Sequence, residues 1–356
     1  MCGETNKRRG PPQSSRFSTG GTRPSAKARH QAQASAVHID LEVQAGSRGG
    51  VFTRGEAIAA GYTDADIKQL VRRGDWRRIR WGRFVTAAVW DQADELGRLA
   101  MRCHACVASG RACRVSHDTS ARLQQLPVVL PGGAPTDDLL HLTVPTPPGS
   151  RPRVGTRVHV ASVPAEHCRE VRGLTVTSPL RTAFDLARLH GELTGVIAAD
   201  AALSMGEDPI ELTSLVDGLA HWPGAAAARR MPALVDAGAQ SPGETISRLL
   251  LRSLGLGVVE TQVRFEGGGW NTTVDLVVGR LIVEFDGRVK YGRDRRFGQD
   301  RTPEQLLWEE KQREDWLRSL GYVVVRLTWA DLWPPRREAT LRMLAEKFWL
   351  AQRTFV

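Results

Sequence analysis

Residues 272–292 read TTVDLVVGRLIVEFDGRVKYG, and no other stretch restricts the folds open to this chain so tightly. VDLVV and LIVEF are short β-branched and aliphatic runs split by Gly279-Arg280, which predicts two antiparallel strands joined by a two-residue turn. In that register Val278 faces Leu281, and counting outward sets Asp275 opposite Glu284. Asp286 lies two residues further along the strand and so shares the face of Glu284. Val274, Leu276, Leu281, Val283 and Phe285 take the other parity and make one apolar face, leaving the acids together.

Like charges facing each other across a sheet destabilise it and disturb one another's protonation unless a cation sits among them. Oxygen ligands without histidine or thiolate point to magnesium or manganese rather than zinc. The competing reading places the acids on the solvent side of an edge strand, paired with Arg288 or Lys290. A longer turn would also break the register.

Residues 240–356 read as one unit around this pair. SPGETISRLLLRSLGLG is a helix whose Ser241 and Glu244 fit the capping-box spacing. PEQLLWEEKQREDWLRSLG is a long helix ending at Gly321, YVVVRLTW a buried strand, and REATLRMLAEKFWLAQR a last helix. The expected order is α-β-β-α-β-α. Glu244 reads as part of that helix cap, and EEKQRED as a solvated helix face laced with ion pairs.

Toward the other end, GVFTRGEAIAAGYTDADIKQLVRRGDWRRIRWGRFVT predicts helix, sharp turn, helix and hairpin over residues 47–90, the order of a winged helix-turn-helix. Thr53 caps the first helix; Thr63 with Asp66 opens the second; Trp81-Gly82 turns the hairpin. Arg72, Arg73, Arg77, Arg78, Arg80 and Arg83 cluster at the end of the second helix and along the hairpin, where phosphates are the expected partners. A solvated basic face on a packing module is the alternative. Residues 1–46 are polar, small and basic, and predict a disordered arm.

Residues 91–237 read as an α/β middle domain. ADELGRLAMRCHACVAS is helical, HLTVP and RVHVASV are short strands, and TSPLRTAFDLARL is a helix with Ser178 as cap and Pro179 in its first position. No nucleophile with an adjacent base and no phosphate-cradling glycine loop occurs here, so this stretch predicts architecture rather than chemistry.

A net charge of +10 favours a phosphate-rich partner without naming it. The five cysteines are unevenly spread, and Cys103 and Cys106 lie in an apolar helical segment, which predicts reduced, buried thiols rather than a zinc site. No apolar run reaches the roughly 18 residues needed to span a bilayer, and the first residues lack a signal-like hydrophobic segment, so a cytoplasmic protein with no membrane partner is expected.

VDLVVGRLIVEFDGRVKYG followed by EKQREDWLRSLGYVVVRLTWADL resembles the very-short-patch-repair-like branch of the PD-(D/E)XK nuclease superfamily. GVFTRGEAIAAGYTDADI together with VTSPLRTAFDLAR and AADAAL resembles the AbiEi antitoxins, which pair a winged helix with an α/β domain. The resemblances imply a restriction-endonuclease-like core in an α/β multidomain chain. Residue by residue, Asp275 matches the first acid of the nuclease motif, Glu284 the second, and Glu244 the acid of the first helix. The lysine usual two positions beyond the second acid is replaced by Asp286, so Lys290 or Lys311 would have to supply its charge.

Two functions follow from these resemblances. One is metal-dependent hydrolysis of a nucleic-acid phosphodiester, with magnesium or manganese on Asp275, Glu284 and Asp286 and the winged helix delivering DNA. The other is a non-catalytic DNA-binding antitoxin and autoregulator, with a partner toxin and a degenerate nuclease module.

Overall fold

The computed structural model describes residues 39–107, 112–146, 154–287 and 303–354. The arm expected over 1–46 ends sooner than its composition suggested: Ile39–Gly46 is a helix (α1), while residues 1–38 lie outside the described residues. Leu41 and Ala45 carry α1 into the core of the N-terminal unit, and burying a leucine stabilises by about 1.5–3 kcal/mol, which helps order two turns too short to be stable alone.

That unit runs β1 (Phe52–Thr53), α2 (Arg54–Ala59), α3 (Asp64–Arg73), β2 (Trp76–Arg80) and β3 (Arg83–Thr86), in a three-stranded sheet of order β1-β3-β2. Both helices begin in capping boxes, Thr53 with Glu56 and Thr63 with Asp66. Gly74 ends α3 in the left-handed conformation at φ 82°, which lets the chain turn directly into β2. Trp76 packs edge-on against Phe52 and Tyr62, at centroid distances of 4.6 and 4.9 Å, and Ile67 and Leu70 of α3 close the same core.

Two helices, α4 (Ala87–Gln92) and α5 (Glu95–Val107), lead into the middle region. There β4 (Arg114–Val115), β5 (Leu140–Val144), β6 (Thr156–Val160), β7 (Cys168–Val171) and β8 (Leu174–Thr177) form a mixed sheet of order β6-β5-β4-β8-β7. Around it lie α6 (His117–Leu123), α7 (Pro179–His190), α8 (Glu192–Ser204), α9 (Pro209–Gly218) and the short α10 (Met231–Leu234). Ser178 caps α7 and Pro179 opens it, as the sequence predicts. Cys103 and Cys106 are buried in the core between α5 and the sheet, and burial pushes the Cys103 thiol up, away from the thiolate a metal would need.

The last unit comprises α11 (Pro242–Ser253), β9 (Glu260–Gly267), β10 (Trp270–Val278), β11 (Leu281–Phe285), α12 (Pro303–Ser319), β12 (Val323–Leu327) and α13 (Arg337–Thr354). Its sheet has the order β12-β11-β10-β9, with β11 and β12 parallel and the other pairs antiparallel. The expected order α-β-β-α-β-α therefore needs correction by one strand. β9 is an edge strand with a mostly exposed surface, and Gln262 within it stands at φ 50°, so its residues carry neither the apolar run nor the clean alternation that marks an inner strand.

The two faces of this sheet are covered differently. Leu276, Val278, Leu281 and Val283 pack against Ile246, Leu250 and Leu251 of α11 and Leu344 and Phe348 of α13, in a core that also takes in Ile197 of α8. Val277 and Ile282, on the face shared with the acids, pack under Leu317 and Trp316 of α12. Among the described residues no helix is long and apolar enough to cross a membrane.

Candidate functional site

The hairpin register is the one the turn predicts: Val278 pairs with Leu281 and Leu276 with Val283, and Gly279 accepts φ 53° in the turn. One step further out, the Phe285 N–H donates to Asp275 Oδ2 at 2.8 Å, so the side chain of β10 ties down the end of β11. Burial pushes the Asp275 carboxyl up to about 6; the Phe285 N–H works against that shift, while the negative charges of Glu244 and Glu284 add to it. Glu244, Asp275 and Glu284, from three elements, thus share one electrostatic neighbourhood.

Each neighbour of Asp275 has its own partners. Glu284 is held in a two-pronged ion pair by Arg313 of α12, at 2.8 and 2.9 Å, and Arg326 of β12 adds a 3.4 Å contact. Arg313 also donates to Glu310 at 2.6 and 3.0 Å, and Arg326 reaches Glu310 and Glu314. Glu244, 8% exposed, accepts from Ser241 Oγ at 2.8 Å, the Gln240 N–H at 2.9 Å and Gln262 Nε2 at 3.0 Å. Ser241 is the N-cap of α11 and accepts from the Glu244 N–H at 3.2 Å, while the Glu244 carboxylate takes the N–H of Gln240, one residue before the cap, so the reciprocal half of the expected capping box is not made.

Asp286 follows β11, half-buried, with its N–H donating to Leu327 O at 2.8 Å. Lys311 lies on the exposed side of α12, its ammonium 6.0 Å from the Trp308 ring. Two residues on, Arg313 turns about 200° around the helix toward Glu284, so the helix that delivers the arginine carries the lysine away. Lys290 lies outside the described residues.

The six arginines of the N-terminal unit divide. Arg72, Arg73, Arg77 and Arg78 are exposed: Arg73 pairs with Asp75 at 3.2 Å, Arg77 with Asp91 at 3.0 Å, and Arg78 lies over the Phe84 ring at 5.9 Å. Arg80 and Arg83 are half-buried, Arg80 turning inward to Cys106 Sγ at 3.0 Å. Trp81, 89% exposed, stands at the tip of the hairpin between them.

The middle region holds a polar cluster to which sequence reasoning assigned no chemistry. His117 opens α6 at φ 48°, a backbone conformation that costs a non-glycine residue of the order of 1–2 kcal/mol. His141 of β5 and His159 of β6 lie on neighbouring parallel strands, with Thr143 directly paired to His159. The His117 and His159 rings stack 3.6 Å apart, and His141 Nδ1 lies 3.4 Å from both His159 Nε2 and Asp118 Oδ2.

Arg181 and Asp185 of α7 pair at 3.0 Å, each 1% exposed, and Arg188 shares the same carboxylate at 3.0 Å. Both guanidiniums lie against the Trp222 ring, at 4.6 and 5.2 Å. With His117, Thr143 and His159 these side chains line a cavity of about 120 Å³. Burial lowers the pKa of all three histidines, that of His159 to about 4, and their proximity to one another and to the arginines adds to the effect in His117 and His159. The signal available in the sequence was a histidine at an inward position of each of two strands, LHLTV and TRVHV.

Among the described residues, three or more potential metal ligands come within 4.8 Å of one another at His117, His141 and His159, and the carboxylates of Asp275, Glu284 and Asp286 do not form such a group.

No curated protein matches the chain. A solved structure, described as the crystal structure of RV2827C protein from Mycobacterium tuberculosis, aligns at 15% identity and a TM-score of 0.37 over 58% of this chain and 78% of that one. Residues 110–236, which contain the whole histidine and arginine cluster, match the family model of the AbiEi antitoxin C-terminal domain.

Proposed function

We propose that this chain is a DNA-binding antitoxin-type regulator, in which the N-terminal helix–helix–hairpin unit meets the duplex and the matched AbiEi region sets the toxin–antitoxin context. The observation that carries the reading is the exposed run of Arg72, Arg73, Arg77 and Arg78 leading to Trp81 at the hairpin tip, in a unit N-terminal to the matched region. Among the described residues, Arg72 and Arg78 have no carboxylate within ion-pair distance, so they meet phosphates without giving up such a partner. A toxin encoded elsewhere is the protein partner this context implies.

The grip of Arg313 on Glu284 and the aspartate at position 286, where the nuclease motif has lysine, favour a C-terminal module that binds rather than cuts. Binding of a labelled duplex is to be measured against salt concentration for the full chain and for the Arg72→Ala/Arg78→Ala variant. Each lost phosphate contact lowers the logarithmic salt slope by about 0.9. An unchanged slope and affinity would overturn the assignment of this surface.

A second reading, metal-dependent phosphodiester hydrolysis, draws on Asp275, whose raised carboxyl lies beside Glu244 and Glu284 as acids awaiting a cation do. In it Asp275, Glu284 and Asp286 hold magnesium or manganese, which supplies Lewis acidity toward a phosphate oxygen. Glu284 must first let go of Arg313. Plasmid cleavage with magnesium, manganese or a chelator, compared in the wild type and Asp275→Ala, separates the readings: metal-dependent cutting lost in the variant establishes the second, and none in either leaves the first.

A further inference from the structure

His117, His141 and His159 come from three separate elements and point their ring nitrogens at one small volume. An imidazole nitrogen in a tetrahedral zinc site lies about 2.0–2.1 Å from the ion, which places two such nitrogens roughly 3.3–3.4 Å apart. His141 Nδ1 and His159 Nε2 are 3.4 Å apart. We propose that His117, His141 and His159 hold a divalent transition-metal ion of the zinc type, through His117 Nε2, His141 Nδ1 and His159 Nε2.

The outer partners of the rings select those atoms. In the tautomer that a metal takes here, His141 Nε2 carries the hydrogen toward Asp137 Oδ1 at 3.3 Å and the lone pair is on Nδ1. That nitrogen lies 3.4 Å from Asp118 Oδ2 and 3.4 Å from His159 Nε2, a group of potential ligand atoms around one point. His117 Nδ1 meets Ser116 Oγ at 3.0 Å, which leaves its Nε2 for the ion. A carboxylate or hydroxyl behind a ligating imidazole is the usual way metal sites orient their ligands.

Formal charge around the site balances before any ion arrives. Arg157 pairs with Asp137 at 3.1 Å, Arg181 and Arg188 share Asp185, and Asp118 accepts from His190 at 2.9 Å. Three neutral imidazoles leave the ion's charge uncompensated, and its fourth position opens toward the cavity that Arg181 and Arg188 line. The site thus has the composition of an open one, with an anion such as hydroxide, phosphate or carboxylate as the fitting fourth ligand. Three histidines packed as a polar core would need no such cavity beside them.

The test is uptake of zinc and of cobalt(II) by the chelator-stripped full chain, by equilibrium dialysis and by the visible bands of four-coordinate cobalt. The expected result is a single ion per chain with tetrahedral cobalt bands, lost in His159→Gln and retained in His221→Gln, a histidine outside the cluster. Asp137→Asn, at a half-exposed position, should weaken binding by about 10-fold or more through the loss of its hold on His141. Absence of a stoichiometric ion from the wild type, or unchanged cobalt bands in His159→Gln, would overturn the proposal. Neither outcome depends on whether the chain binds DNA.

Discussion

Arg248 of α11 donates to Asp200 of α8 at 2.8 Å with both side chains 1% exposed, so the stretch before residue 240 and the stretch after it are joined by a buried ion pair. Thr245 Oγ1 and the Asp236 N–H also donate to Asp200, each at 2.8 Å, and Arg248 donates to Leu234 O at 2.7 Å. Ile197 of α8 enters the apolar core of the C-terminal sheet beside this pair. Although the sequence separates domains at 237 and 240, they share an interior. Asp200→Ala should cost about 3–5 kcal/mol in chemical denaturation, because it strands a buried guanidinium, and Asp200→Ala with Arg248→Met should recover most of that loss. A single variant as stable as the wild type would refute this account of the junction.

Asp275 provides a pH test. Its carboxyl is raised from the ordinary 3.8 to about 6 in the folded chain, so the folded state holds the proton more tightly than the unfolded state does. The associated stability is complete below about pH 4 and is lost as pH rises through about 6. Asp275→Asn keeps an oxygen to accept from the Phe285 N–H and never ionises. In metal-free buffer it should be more stable than the wild type above pH 6 by about 1–2 kcal/mol, a figure reduced for partial solvent screening, and the gap should close toward pH 4. Thermal unfolding across that range measures it; a gap that widens on acidification would contradict the assignment.

Arg313→Ala removes the two-pronged pair with Glu284 and the pair with Glu310 together. Glu284 is mostly buried and keeps Arg326 at 3.4 Å as a weaker partner, so the expected loss is about 2–4 kcal/mol, below that for a fully buried orphan. A cycle with Glu284→Gln should show a coupling of at least about 1 kcal/mol, measured by denaturant unfolding. Additive losses would mean that the pair contributes nothing beyond its separate parts.

Helices α7 and α8 touch where Gly195 faces Ala187: a methyl built on Gly195 would lie 2.4 Å from Ala187 Cβ. Alanine gains about 1 kcal/mol of helix propensity over glycine, but pressing the helices apart costs about 1–3 kcal/mol or more. With backbone as close as 3.0 Å to the added methyl, the steric cost wins, and Gly195→Ala should lower the melting temperature. A stabilised variant would show that α7 and α8 can separate freely.

Legibility in the sequence followed the range of each interaction. The capping boxes at Thr53 and Thr63 and the register of the 278–281 turn depend on neighbours within a few residues, and they stand where the sequence puts them. The clamp on Glu284 comes from Arg313 across a chain reversal, and no periodicity links the two positions. His117, His141 and His159 come from the start of α6 and from two neighbouring parallel strands, β5 and β6, so each histidine reads alone in the sequence and nothing in its spacing links the three. Strand β9 escaped notice because an edge strand needs pairing partners on one side only, and its side chains are correspondingly mixed.

The clamp of Arg313 also sets a threshold for anything that would bind Glu284. A guanidinium fixed on the same helix that covers the sheet is a tethered competitor, present at a millimolar or higher effective concentration that dilution never lowers. A dication approaching this carboxylate must displace that competitor, and its apparent dissociation constant is the intrinsic one divided by the fraction of time the clamp stands open.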